Sequence, residues 1–163
     1  MEVAPGLVSE PISVGAGPFS LSFRIAGSAE SFANTEVINF KPRGYLFALS
    51  GDASSQSVIE VTRSIPEVND GEHAIKVLDL SDNESALKLY RMQDELFELP
   101  LEGGESEFLI IESSDLSPLS LIPIEGGGAV SFATAEFPSG AASILLIRNA
   151  PESGELDMFL LAL

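Results

Sequence analysis

Alternation of apolar and polar residues is the main pattern along this chain. In Pro18–Ile25, every second residue from Phe19 onward is apolar, and the residues between them are serine or arginine. A period of two is typical of a strand with one buried and one exposed face. Gln56–Ile65 repeats the pattern, so we expect strands in both segments.

Other segments are apolar on both parities. His73–Leu80 and Leu119–Ile124 alternate and then change phase, which indicates a bulge, a bend, or a strand covered on both faces. Continuous apolar runs are typical of central strands buried on both sides. The chain has three of them, Phe108–Ile111, Ile144–Ile147 and Met158–Leu163.

Segments rich in Gly, Pro, Asn and Asp separate these runs every 8–12 residues or so, which is the spacing of sandwiches and barrels. The pattern therefore predicts an all-β fold, an antiparallel β-sandwich or jelly-roll-like pair of sheets. Pro and Gly are frequent at the start of the chain, so we expect residues 1–17 to form an extended N-terminal arm. Residues 18–163 are then predicted to form a single β-sandwich domain.

One stretch, residues 82–97, is open to two interpretations. Ser81-Asp82-Asn83-Glu84 matches a helix capping box, and apolar residues follow at near-helical spacing, which predicts one short helix. The alternative is a hairpin that pairs Ile75–Leu80 with Ala86–Met92 and turns Leu87 and Leu89 inward. We favour the hairpin, because both flanks have strand patterns.

Composition adds a contrast between charge and hydropathy. The chain carries 25 acids and 8 bases, for a net charge of −17, yet 45% of its residues are hydrophobic. Residues 92–163 hold 13 of the acids and a single base, Arg148. A field of this sign disfavours nucleic acid and anionic membrane surfaces as partners. The first residues lack the pattern of a signal peptide, and no apolar run approaches the ~20 residues of a membrane span.

The search for chemistry predicts no catalytic residue, no cofactor and no metal. The single histidine, His73, begins a strand beside a turn, where we expect a solvated side chain. Zinc is disfavoured by one histidine and no cysteine. The acidic turns at residues 67–72 and 79–84 could offer oxygen ligands to calcium, but neither matches the D-x-[DN]-x-[DN]-G loop. We therefore expect a protein that is not an enzyme.

The apolar C-terminal segment is the remaining signal. It predicts either a core strand or a strand covered by a neighbouring subunit, whose interface residues would be Met158, Phe159, Leu160, Leu161 and Leu163. In general profile the chain resembles accessory or decoration subunits of virions. The expected function is a structural or interaction subunit of a homo-oligomer within a larger protein shell. The alternative is a ligand- or carbohydrate-binding β-module, which the lack of Trp disfavours.

Overall fold

The structure is a computed structural model that describes residues 17–24, 29–35, 38–40, 47–51, 56–60, 65–83, 85–101, 104–150 and 153–163. The chain divides into two compact units, Met1–Arg63 and Ser64–Leu163. Within the described part, no helix has the length and apolarity that crossing a membrane requires. The arm predicted for residues 1–17 lies outside the described residues except for Gly17, and the single domain over 18–163 stays a prediction.

In the first unit, short strands pair two by two, and every pair is antiparallel. Side chains from Gly17 to Arg24 alternate between half-buried and exposed, as the sequence pattern predicts. The predicted strand is interrupted at Leu21, whose N–H donates to Thr35 Oγ1 at 2.9 Å. The strands are β1 (Gly17–Phe19), β2 (Ser22–Arg24), β3 (Ser31–Asn34), β4 (Ile38–Phe40), β5 (Phe47–Gly51) and β6 (Gln56–Glu60), paired as β1–β4, β2–β3 and β5–β6.

The second unit is a sandwich of two four-stranded sheets, which confirms the predicted fold class. Sheet I has the strand order β10-β7-β13-β14, and sheet II has the order β12-β11-β8-β9. The strands are β7 (Glu72–Asp79), β8 (Leu87–Arg91), β9 (Asp94–Leu99), β10 (Leu109–Glu112), β11 (Ser114–Pro123), β12 (Ser131–Phe137), β13 (Ala141–Asn149) and β14 (Leu156–Ala162).

The core of the second unit lies between the two sheets. Its largest side chains are inaccessible to solvent, and burying each one fully stabilises the fold by about 1.5–3 kcal/mol. Sheet I contributes Ile75, Val77, Leu145 and Ile147, and sheet II contributes Leu89, Leu119, Leu121 and Phe137. The inward side chains of each strand are two residues apart, as the period-two pattern requires.

The two central strands of sheet I are buried on both faces, as their sequences predict. Every side chain from His73 to Leu78 in β7 is buried, and so is every one from Ala142 to Ile147 in β13. The prediction of a central position is wrong for the other two apolar runs. Phe108–Ile111 contributes to β10 and Met158–Leu163 to β14, and both strands lie at edges of sheet I.

The helix predicted within residues 82–97 is wrong, because β8 and β9 form a hairpin there. Met92, at its tip, has a φ of 56°. Leu87 and Leu89 are buried in the core, as the hairpin interpretation requires. The predicted partner was also wrong: β8 pairs with β9 and β11 in sheet II, whereas β7 pairs with β10 and β13 in sheet I.

One strand pair departs from the predicted antiparallel pattern. β13 runs parallel to β7 with Ala142 opposite Ala74 and Leu146 opposite Leu78. Parallel neighbours need a long crossover connection, and here the chain between them supplies β8 to β12. The finer jelly-roll likeness stays a prediction.

Candidate interaction surface

β14 forms an edge of sheet I, because among the described strands it pairs with β13 alone. Leu163 N–H donates to the Ala142 carbonyl at 2.9 Å. At the other end, Ala150 N–H donates to the Glu155 carbonyl at 2.7 Å. Hydrogen-bonded pairs alternate along an antiparallel ladder, so the odd-numbered residues of β14 bond to β13. The backbone groups that point away from sheet I are those of Leu156, Met158, Leu160 and Ala162.

The five residues predicted at an oligomer interface all lie on or beside this edge strand. Met158 is buried in the core, and Leu160 packs against the same core. Phe159 and Leu161 are half-buried and lie on the other face of sheet I, while Leu163 is 42% exposed. The structure thus places four of the five on β14 and Leu163 directly after it, and their role in an interface stays a prediction.

Charge is scarce on β14 and is locally balanced. Asp157 is the one charged residue of Leu156–Ala162. Arg148 on β13 lies opposite it, and Arg148 Nη2 donates to Asp157 Oδ2 at 3.4 Å. The Arg148 guanidinium also lies 4.7 Å from the centre of the Phe159 ring. The edge is therefore close to neutral in a chain whose net charge is −17.

A cleft of about 400 Å³ opens between β12 and β14, the neighbouring edge strands of the two sheets. The small side chains of Ala133 and Ala135 leave this space next to Met158 and Leu160. Thr134, Glu136 and Ser143 add polar groups to its lining. The cleft consequently gives access to apolar side chains between the sheets.

The outer face of sheet II carries exposed apolar side chains. Phe132 on β12 is 75% exposed, and the register places it beside Ser120 on β11, which in turn lies beside Tyr90 on β8. Elsewhere, Leu116 on β11 and Met92 in the turn between β8 and β9 are each 66% exposed. The exposure of Phe132 was not among the sequence predictions. Phe132 alternates in phase with the polar residues Thr134 and Glu136, and this shared parity indicates that its side chain lies on the exposed face of the strand.

His73 is buried, so the prediction of a solvated side chain is wrong. Its Nδ1 lies 2.8 Å from the Pro138 carbonyl oxygen, and because a carbonyl can only accept, Nδ1 carries the proton. Nε2 is buried and has no hydrogen-bond partner among the described residues. Burial lowers the pKa of His73 below its ordinary value, the Pro138 hydrogen bond opposes that shift, and the positive charge of Arg91 adds to it.

The acidic turns form local hydrogen bonds. Glu72 Oε2 accepts from Asn69 Nδ2 at 2.8 Å, and Asp79 Oδ1 accepts from the Ser81 hydroxyl at 2.7 Å. Among the described residues, no three Asp, Glu or His side chains lie close enough together to hold a metal ion. Residue 84, part of the second turn, lies outside the described residues.

Comparison with known proteins gives no relative from which a function can be transferred. No protein-family model matches the chain, and no curated protein is significantly similar to it in sequence. The function must therefore be argued from the surface and the buried groups of this chain.

Proposed function

We propose that this chain is a non-enzymatic structural subunit of a homo-oligomeric assembly, such as a virion accessory or decoration protein, and that β14 is its self-association edge. The observation that carries the proposal is the edge itself. An exposed edge strand offers unpaired N–H and C=O groups to another chain, and proteins usually blunt such edges with lysine, proline, bulges or very short strands. β14 has seven residues, none of them lysine or proline.

A subunit that both self-associates and binds a larger shell needs a second surface. Phe132, on the outer face of sheet II, is 75% exposed and supports a contact there. This position and the β14 edge lie on different sheets.

The surroundings of His73 support the non-enzymatic part of the proposal. A catalytic base must reach the proton that it removes. His73 Nδ1 already donates to a backbone carbonyl, and Nε2 is inaccessible to solvent. A general base at this position would therefore need the sandwich to open.

The test is the mass in solution, measured by light scattering after size exclusion at about 0.01 M and about 1 M salt. The Debye length falls from roughly 30 Å to roughly 3 Å between these conditions. We expect a multiple of 17.2 kDa, and we expect association to strengthen with salt because like charges are screened. A mass of 17.2 kDa at both salt concentrations would overturn the proposal and make the cleft a candidate site for a small ligand.

A further inference from the structure

We infer that the cleft between β12 and β14 binds a small amphiphilic amine, whose apolar part lies between the sheets and whose ammonium group lies at Glu136. The inference goes beyond the proposed function, because it concerns the space between the sheets and not a contact between subunits. The cleft has a volume of about 400 Å³. Small-molecule sites typically have volumes of about 300–1,000 Å³ and are mostly apolar, with a few polar groups that orient the ligand.

The lining of the cleft is mainly apolar and comes from both sheets. On β12 the inward side chains are alanines, which leave room for an alkyl chain where longer side chains would fill the space. A chain placed there contacts side chains of the core, and each methylene that it buries strengthens binding by roughly fourfold. The apolar lining residues are Leu119, Ala133, Ala135, Pro138, Leu145, Met158, Phe159, Leu160 and Ala162.

Ser143 places a buried hydroxyl in this cleft. On β13 it has the parity of Leu145 and Ile147, which face the core, and it is only 2% exposed. Its hydroxyl forms no hydrogen bond with any residue that the structure describes. A buried polar group without a partner destabilises the folded chain, so a ligand that hydrogen-bonds to Ser143 removes that cost. This hydroxyl distinguishes the cleft from a gap that is merely apolar.

The polar end of the cleft is acidic. Glu136 lines the cleft and also an adjoining one of about 310 Å³, which Asp115 and Ser114 line as well. No lysine or arginine of the described part of the chain lines either cleft. Carboxylates without a neighbouring base attract cations, and the net charge of −17 adds to that attraction. A cationic headgroup is therefore favoured over an anionic one.

Glu136 and Ser143 lie at the same end of the cleft, because β12 ends at Phe137 and β13 begins at Ala141. An ammonium group has three donors and no acceptor. It can donate to the carboxylate of Glu136 and to the hydroxyl oxygen of Ser143 at once. The alkyl chain then runs along β12 toward Ala133. The arrangement thus selects for a positive charge at one end and an apolar body behind it.

Three small ligands test the inference on the unsubstituted chain by isothermal titration calorimetry at pH 7.5. Octylamine is protonated at this pH, as lysine is, and octanoate is ionised. Octylamine should bind at least about tenfold more tightly than octanoate, which has a tail of similar length and the opposite charge. It should also bind at least about tenfold more tightly than butylamine, which has four methylenes fewer and the same charge.

Two substitutions locate the binding site. Ala133→Leu fills the cleft from β12 and should weaken octylamine binding at least about tenfold, whereas Ala86→Leu, the same change at an exposed position, should leave it within about twofold. Glu136→Gln should weaken octylamine binding at least about threefold. Glu98→Gln, at another exposed glutamate of sheet II, is its matched control and should leave the affinity within about twofold.

The outcomes either support or overturn the site. Selective binding of octylamine that is lost in Ala133→Leu and Glu136→Gln, and kept in both controls, supports it. No binding at about 1 mM octylamine, or equal binding of octylamine and octanoate, overturns it. Equal losses in Glu136→Gln and Glu98→Gln show diffuse attraction of amines to an acidic chain and overturn it as well. If Ala133→Leu does not fold, the glutamate pair and the comparison of ligands decide.

Discussion

Burial of His73 predicts a specific loss of stability in acid. Protonation would place a hydrogen on Nε2, which has no acceptor among the described residues, and would place a positive charge near Arg91. Burial lowers the pKa of His73 in the folded chain below the 6.5 of the unfolded chain, and the positive charge of Arg91 adds to this shift, while the hydrogen bond to Pro138 opposes it. As the pH falls through 6.5, the unfolded chain therefore binds more protons than the folded chain does. The stabilisation is fully present above pH 6.5 and is lost as the pH falls toward the folded pKa.

The loss of unfolding free energy is largest when the unfolded histidine is fully protonated and the folded histidine is not. Below pH 6.5, each pH unit costs up to about 1.4 kcal/mol of unfolding free energy until the folded histidine also binds a proton. The perturbation is His73→Asn. Asn Nδ2 is attached to Cγ as histidine Nδ1 is, so it retains a donor for the Pro138 carbonyl, and the side chain does not titrate.

The assay is urea unfolding of both proteins, followed by circular dichroism at pH 7.5, 6.5 and 5.5. The variant is expected to be less stable at every pH because it packs less well, so the informative quantity is the difference between the two free energies. Because half of the unfolded histidines are already protonated at pH 6.5, that difference should shrink by up to about 1.0 kcal/mol between pH 6.5 and pH 5.5. The carboxylates titrate in both proteins and cancel. A difference that is constant with pH, or that grows in acid, would refute a buried neutral His73.

Two further predictions concern the core and one turn. Leu145→Ala, at an inaccessible position between the sheets, should lower the unfolding free energy by about 2–5 kcal/mol. Its control Leu116→Ala, at a 66% exposed position, should change it by less than about 0.5 kcal/mol. Gly104→Ala should cost more than Gly140→Ala. Both glycines have positive φ, but a Cβ on Gly104 would lie 3.2 Å from the Asp79 carbonyl oxygen, whereas the space at Gly140 is open.

Denaturant unfolding measures the free energy of unfolding of each of these four variants. For the glycines, the left-handed conformation alone costs an alanine roughly 1–2 kcal/mol, which is the loss expected at Gly140. Equal losses of unfolding free energy in Gly104→Ala and Gly140→Ala would contradict the close approach of Gly104 to Asp79. Equal losses of unfolding free energy in Leu145→Ala and Leu116→Ala would contradict the position of the core.

The sequence predicted the strands well, because local alternation reports which face of a strand is buried. Gly17–Arg24 alternates as expected, and the phase change in His73–Leu80 belongs to a strand buried on both faces. What local patterns do not contain is the identity of the neighbouring strands. An apolar run has the same composition at the centre of a sheet, as in β13, and at its edge, as in β14.

The errors in the sequence predictions share that cause. The parallel pairing of β7 with β13 joins segments about 70 residues apart and leaves no local mark. His73 is buried because Phe137 packs edge to face against it, at 5.3 Å between ring centres, and Pro138 accepts its hydrogen bond. Both residues are distant in sequence. The β14 residues were found as a set, but only the structure shows which of their backbone groups point outward.

The most direct test of the account is the solution mass of Ala162→Pro beside the wild-type chain. Proline lacks an N–H and is tolerated in edge strands where that group faces solvent. Ala162 directs its N–H away from β13, so the substitution should leave the fold intact and block the edge, while Ala162→Thr serves as the control. We predict an oligomer for the wild type and for Ala162→Thr, and a folded monomer for Ala162→Pro. A wild-type oligomer whose mass survives Ala162→Pro would contradict association through β14.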